Sequence, residues 1–591
     1  MRYDTLLQVL DKIRDEAPIQ QAARYKPDRN DFEKVNQARS RAFIHLYLKV
    51  MFGLADFSER ERTITDGSRD GGVDGYHIDS ETKIIYLIQS KFRASGKNFE
   101  SKEIRLEELL SMDISRILDG DLLDEQGYEY NGKIKQFQRE VSSLPDVARY
   151  SYRIAILANL SGVSPTKLKQ LTGGFAAEVF DFEKTYHKLV FPVITGTYFT
   201  ASDIVIPVDL SNKNAGSKIS YNVKTKYSDC EITVLFVPTI EIARIMNKYR
   251  NAILKYNPRS YLEFEGQSVN AAIRETIIST KTNEFSLYNN GITMLSEETN
   301  INEKIGQKNK AQLRIKNPQI INGGQTSFTL SRIFVENIEN AAELFGDKEV
   351  LLKIITLMDN DSQEAKVELI DQISTATNKQ TPVINADRFA NEAFHVSIQL
   401  RLFERYGLLY ERKRGEFSAG VKDGYVDAKK IVERNQYWRL YYAANGDIEK
   451  GLQRRLFQKN NFKGVDIMHD IAFDRAFLGL NVFERLRRDV GRNSPMDRDI
   501  YAKVFMYVET FFREGTLEWI NEIEETMPKL LAMWKLFIQK QQLKTGPRQK
   551  AYIDKETGEA RIRLAEPKYH YNPALRGDLN RFIREARTAA N

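Results

Sequence analysis

The sequence predicts a multidomain α/β protein whose C-terminal third is mainly helical, and three observations carry that expectation. The chain has 591 residues, 42% of them hydrophobic, which is enough for several separate cores. Up to Gln399, short apolar runs bounded by Gly, Asn and Asp alternate with segments of helical period. Beyond Gln399 the strand signals give way to long helix-period runs such as "FDRAFLGLNVFERLRRDV".

The elements follow in order. From Asp31 to Phe52, Phe32, Val35, Phe43, Leu46, Tyr47 and Val50 recur at helical spacing and predict a helix. Turn pairs beginning at Asp66, Gly71 and Asp74 lead into a hairpin, "GGVDGYHIDSETKIIYLIQSKF". "SKEIRLEELLSMDISRIL" predicts a helix and "YSYRIAILANLS" a buried strand, closing a unit over residues 1–160. A mixed α/β unit is expected over 161–400, with strands in "SDCEITVLFVPT" and "LRIKNPQIINGG" and helices in "IEIARIMNKYRNAIL" and "TSFTLSRIFVENI". Residues 401–591 make the helical part and end in a basic tail.

Composition excludes several function classes. The lone Cys230 rules out disulfide frameworks and multi-cysteine zinc sites, and the six histidines form no close pair. Cys230 itself reads as a small buried hydrophobe. The N-terminus lacks the apolar run of a signal peptide and no stretch reaches membrane-span length, so a cytoplasmic protein without a membrane partner is expected. The net charge of +7, of which the tail from Lys544 holds +5, leans toward polyanions, although charge runs are often only solvated faces.

Chemistry concentrates at the hairpin. A loop at Ser80, Glu81, Thr82 and Lys83 sets Asp79 opposite Ile84, so that Asp74 faces Gln89. Two-residue alternation places Gln89 and Lys91 on the same face as Asp74, and His77 on the opposite one. A carboxylate, a second oxygen ligand and a cation are the groups that metal-dependent phosphodiester hydrolysis needs. These residues resemble the PD-(D/E)xK nuclease superfamily in its Mrr-like form, with "GVDG" followed by "QSK". The resemblance implies a restriction-endonuclease-like domain that holds Mg²⁺ or Mn²⁺ on Asp74 and Gln89, with Lys91 stabilising transition-state charge. It also implies a further carboxylate from upstream, Glu33 or Asp70, although Glu33 also reads as an ordinary solvated helix residue. A degenerate nuclease fold that only binds is the competing reading.

In the middle of the chain, "NPRSYL" at Asn257, Asn270 before a helix, "NNGIT", "IINGGQTS", "NKQTPV" and "YGLLYERKRGEF" resemble the AIPR family of abortive-infection phage-resistance proteins. The glycine-bordered turn before a helix offers amides to an anion, with Thr326 or Ser327 as its cap, or it is simply a tight turn. "IINGGQTSFTL" is also similar to the signature of ParB/sulfiredoxin-like domains, with Asn322 in place of its Asp and Thr326 in place of its Arg. That similarity implies nucleotide or nucleic-acid binding through Asn322, Gly323, Gly324, Gln325 and Thr326, and the neighbouring AIPR-like motifs add Arg259, Asn289 and Asn290 as expected binding residues. Arg412 and Arg414, beside Lys413 and the aromatics Tyr406, Tyr410 and Phe417, make a second expected nucleic-acid contact or an ordinary charged loop.

The resulting expectation is a cytoplasmic, Mg²⁺-dependent anti-phage nuclease acting on nucleic acid, DNA before RNA. A central sensing or binding domain would regulate it, and a homodimer, a phage-derived trigger or a defence partner would join it. The alternative is a catalytically inactive nucleic-acid-binding or nucleotide-sensing module.

Overall fold

The computed structural model describes residues 2–590 except 81, 107–111, 198, 200–202, 211–218, 226–228, 258–266, 358–368, 371, 374–392, 454–455, 457–461, 463, 467, 491–498, 546–547, 554–559 and 566–574. Two compact units divide the chain: Met1–Val383 with Lys413–Lys430, and Ile384–Arg412 with Ile431–Asn591.

The first unit opens with helix α1 (Arg2–Asp15), followed by α2 (Phe32–Phe52) and the short α3 (Phe57–Arg62). Helix α2 is capped as its sequence demands. Asp31 accepts from the Lys34 amide at the start, and Gly53 takes the left-handed conformation at the end. From Arg41 to Val50 every residue is buried, so this stretch lies inside the domain rather than on its surface.

Strands β1 (Gly75–Asp79), β2 (Ile84–Ser90), β3 (Ser151–Leu157) and β4 (Ala176–Val179) form a sheet in that order. β1 and β2 are antiparallel with Asp79 opposite Ile84 and Gly75 opposite Ile88, the register expected from the loop length. β2, β3 and β4 run parallel, and the continuous apolar runs of β2 and β3 suit strands covered on both faces. This sheet extends to Val179, past the position 160 at which the sequence pattern breaks.

The helix expected over 101–118 is not formed as one element. Helical turns occupy Gly96–Ser101 and Ile114–Asp119. At residues 102–105 the Ile104 amide donates to the Asn159 carbonyl at 2.8 Å and Ile104 is buried, so there the backbone follows the end of β3 instead of coiling, while residues 107–111 of the expected helix lie outside the described residues. Helix α4 (Gly132–Ser142) then covers the sheet through Ile134 and Phe137.

Further along the same unit, β5 (Asp203–Asp209), β6 (Ile219–Lys224), β7 (Asp229–Pro238), β8 (Ile292–Ser296), β9 (Glu298–Asn302), β10 (Lys310–Lys316), β11 (Gln319–Asn322) and β12 (Glu349–Leu357) build two sheets. Their orders are β5-β10-β9 and β11-β8-β12-β7-β6. Helices α5 (Thr239–Tyr249), α6 (Gln267–Ile278) and α7 (Gly324–Glu336) accompany them. Ile242 and Met246 of α5 share a core with Leu330 and Ile333 of α7. Cys230 is buried beside Leu295 and Ile355, the packing role expected of it.

The second unit is mainly helical, with Arg434–Ala444, Asp470–Val490, Asp499–Phe511 and Ile523–Thr545 and two small two-stranded sheets. Between its two segments, Lys413–Lys430 returns to the first unit as a strap. Tyr425 Oη donates to Glu16 at 2.8 Å and accepts from Lys49 Nζ at 2.7 Å, while Lys430 Nζ reaches the Thr5 hydroxyl at 3.1 Å. Among the described residues no helix is long and apolar enough to cross a membrane.

Candidate metal centre

The site grows from a loop in which each aspartate is followed by glycine, "DGSRDGGVDG". After α3, residues 63–66 run antiparallel to the start of β1: Tyr76 N donates to the Thr63 carbonyl at 3.0 Å and Ile64 bridges Gly75. The amides of Thr65 and Asp66 both donate to the Asp74 carbonyl at 3.0 Å. That pairing lays Asp66 beside Asp74, eight residues later in the chain. The intervening loop turns back through left-handed Arg69, Gly71 and Gly72. At Gly71 the positive φ favours glycine, and a Cβ there would also displace the tip of Ile117, whose Cδ1 lies 2.8 Å away.

As a result, Asp66, Asp70 and Asp74 each present a carboxylate oxygen, and these oxygens lie within 4.8 Å of one another. All three residues are half-buried. Asp70 is oriented by the amides of Gly67 at 3.0 Å and Gly72 at 2.9 Å, and Asp74 by the Ser90 amide at 2.6 Å. Burial pushes the Asp74 carboxyl up to about 8. The Ser90 amide opposes the shift, the neighbouring Asp70 and Asp66 charges add to it, and Lys91 also opposes it. Burial likewise raises Asp70 against its two amide hydrogen bonds, with Asp66 adding to the rise. Three carboxylate oxygens held this close, with the Asp70 and Asp74 carboxyls raised, are of the kind and spacing that a hard divalent cation can use.

Gln89 and Lys91 follow from the hairpin register. Continuing Gly75 opposite Ile88 by one residue sets Asp74 opposite Gln89, which is buried on its strand. Lys91 lies just beyond the strand end, its amide donating to the Leu157 carbonyl at 3.0 Å while its side chain is exposed. His77 stacks on Phe52 with ring centroids 4.0 Å apart, and burial pulls it down to about 4. It is a neutral packing residue, in keeping with its place on the opposite face.

The structure does not bring Glu33 into the cluster. That residue is exposed in the first turn of α2, with its carboxylate accepting from Gln37 at 3.5 Å. Residues up to Val35 precede the buried stretch of the helix, and the carboxylates beside Asp74 come from the loop instead. Asp70, the other expected source, is there. Asp66 escaped the sequence reading, although the four-residue spacing of three Asp-Gly pairs was a usable signal.

Behind Asp66 sits a buried polar network. Arg41 donates to the Asp66 carbonyl at 2.7 Å and carboxylate at 3.0 Å, to Glu61 at 3.1 Å, and to Tyr25 Oη at 3.1 Å. Tyr25 also donates to Glu61, which His45 contacts at 3.1 Å. Burial would raise Glu61, but its bond to His45 and the Arg41 charge prevail and hold it down to about 2. His45 is pulled by burial to about 4, so it contributes as a neutral ring.

The expected binding residues of the central region separate into three groups. Asn289 donates to Thr326 Oγ1 at 3.1 Å, and Gln325 donates to Asn270, which also accepts from Thr329. These amides and hydroxyls therefore converge at the start of α7, next to left-handed Gly323 at the N-cap and Gly324. Asn322 accepts from the Gly323 amide at 2.7 Å, and Asn290 is exposed. Neither Thr326 nor Ser327 caps the helix as expected, because the turn places Gly323 at the cap and Ser327 bonds back to its carbonyl. Arg259 lies outside the described residues.

The expected stacking surface near Arg412 and Arg414 is not available. Tyr406, Tyr410 and Phe417 are all core residues, and Lys413 is buried with its ammonium donating to the Lys255 carbonyl at 2.7 Å. The aromatic spacing read as a binding pattern is packing. Arg412 and Arg414 are half-buried.

A mixed α/β chain with three convergent aspartates at a hairpin mouth is thus the class that fold and site define. Residues 254–545 match the family model described as AIPR protein, in agreement with the resemblance of the central motifs. No curated protein and no solved structure matches the chain significantly. The matched stretch contains the α7 turn and lies wholly outside the aspartate cluster.

Proposed function

We propose that this chain is a divalent-cation-dependent nuclease of phage defence, with its chemical centre at Asp66, Asp70, Asp74, Gln89 and Lys91. The convergence of the three carboxylates beside the Gln89 and Lys91 strand carries the reading. The AIPR match supports the defence role, since that family is one of abortive infection. The three aspartates would hold Mg²⁺ or Mn²⁺, with Gln89 as a further oxygen donor. A cation bound there supplies charge neutralisation at the scissile phosphate and a more acidic attacking water.

The chain's own groups do the rest. Hydrolysis forms a bond from water oxygen to phosphorus and breaks one phosphoester bond, and negative charge grows on the phosphoryl oxygens as it does so. Lys91, exposed at the strand end, would stabilise that charge. Arg41 fixes the Asp66 carboxylate and the Ser90 amide fixes that of Asp74, so the acidic groups need not reorganise when substrate arrives. DNA is the favoured substrate, and the polar start of α7 is the sensing or binding part.

The test is cleavage of plasmid, linear duplex, single-stranded DNA and RNA with Mg²⁺ or Mn²⁺. Lys91→Ala should lower the rate by about 10²–10³-fold while calorimetry shows cation binding retained. Cleavage unaffected by Lys91→Ala would remove Lys91 from the centre, and cleavage absent in the intact protein despite cation binding and nucleic-acid affinity would leave the inactive binding module as the function.

A further inference from the structure

A cavity of about 590 Å³ opens beside the aspartate cluster, lined by Ala23, Arg24, Lys34, Gln37, Ala38, Ser40, Arg41 and Asp66. Its wall is one face of α2: Lys34, Gln37, Ala38 and Arg41 follow the helical neighbour spacing, and the short helical turn Ala22–Tyr25 supplies Arg24 from the other side. The volume falls in the range of ligand pockets, about 300–1,000 Å³. Three cations line it against one carboxylate, Asp66, which also belongs to the cluster.

The cations differ in freedom. Arg41 is 8% exposed and locked by Asp66, Glu61 and Tyr25, whereas the side chains of Arg24 and Lys34 are 57% and 67% exposed. Their partners are Glu61 at 3.3 Å and Asp31 at 2.7 Å. The Lys34–Asp31 pair lies in solvent, contributes little and exchanges readily for another anion, while Arg24 is itself exposed and the buried Glu61 that it meets keeps Arg41 and Tyr25 as partners. Gln37 and Ser40 add neutral hydrogen-bonding groups, and the two alanines leave room.

We infer that this cavity is a phosphate subsite, taking the backbone phosphate of a nucleotide that flanks the scissile bond and so setting the strand's register over the aspartates. The inference rests on the nuclease reading, because Asp66 joins cavity and cluster. Arg24 and Lys34 provide the charge, while Arg41 forms the fixed floor that both sites share.

The test compares duplex and single-stranded oligonucleotide binding by the intact protein and by Arg24→Ala/Lys34→Ala, in EDTA and across a salt series. Calorimetric Mn²⁺ binding is measured on both. Two lost phosphate contacts should weaken binding about 10–100-fold at low salt and flatten the salt slope by about 2, with Mn²⁺ affinity unchanged. A control, Lys310→Ala/Arg314→Ala, removes two exposed cations of β10 and should leave affinity near that of the intact protein. Equal losses in both double variants, or none in the first, would overturn the subsite and leave the cluster untouched. If the intact protein binds no oligonucleotide, the nuclease reading itself falls, and the subsite with it.

Discussion

Asp74→Asn is expected to abolish calorimetric cation binding, to lower any cleavage by about 10³-fold or more, and yet to raise the melting temperature of the metal-free protein at pH 8. The three effects share one origin. Burial pushes the Asp74 carboxyl up to about 8 in the folded chain, whereas an unfolded chain releases that proton near pH 4. Between those values the folded state binds more protons, so stability falls as pH rises and levels off above pH 8. The slope is at most about 1.4 kcal/mol per pH unit, and less where water reaches this half-buried group. Asparagine carries no charge and escapes the penalty. Melting curves in EDTA from pH 4 to 8 should therefore diverge steadily between the two proteins, and saturating Mn²⁺ should close the gap for the unsubstituted chain alone. Parallel curves would mean that Asp74 titrates normally.

Arg41→Ala should destabilise the first unit by about 3–5 kcal/mol, the usual consequence of removing one partner of a buried ion pair. Glu61 and Asp66 would both lose the guanidinium between them, and Tyr25 Oη would lose a donor. Arg41→Lys should recover little, since one ammonium cannot span acceptors on three residues. Adding Glu61→Gln to Arg41→Ala should recover part of the loss by removing a stranded charge. Chemical denaturation reads all three variants, and a midpoint unmoved in Arg41→Ala would show that the network carries no net stability.

The hairpin was legible because its register depends on local features, a countable loop and two-residue alternation. Asp74 therefore falls opposite Gln89, as the loop count puts it. Asp66 was not legible in the same way. It joins the cluster through amides at Thr65 and Asp66 that donate to the Asp74 carbonyl, a loop pairing beyond the reach of two-residue alternation, with the repeated Asp-Gly spacing as its one trace in the sequence. Glu33 lies on the helix upstream of the hairpin, but a helix buried all round from Arg41 to Val50 gives no amphipathic phase from which to read which side faces the site. Tyr406, Tyr410 and Phe417 show the converse difficulty: aromatics beside cations look alike in sequence whether they stack on bases or fill a core. The α7 turn was recognised as glycine-dependent, and Gly323 is left-handed there, with its Cβ position only 2.9 Å from Ile292.

The strap at Lys413–Lys430 sets a timetable for synthesis. Its contacts with Glu16, Lys49 and Thr5 span sequence separations of 409, 376 and 425 residues. A growing chain on the ribosome thus carries α1 and α2 without these partners until more than two thirds of the protein has been made, and such late, long-range closures are slow. Chains halted before Lys413 should show faster amide exchange in α1 and α2 than chains halted after Lys430 and fully emerged. The acidic centre, which α2 braces through Arg41, would then gain its full support only after the strap has emerged, well into the last third of translation.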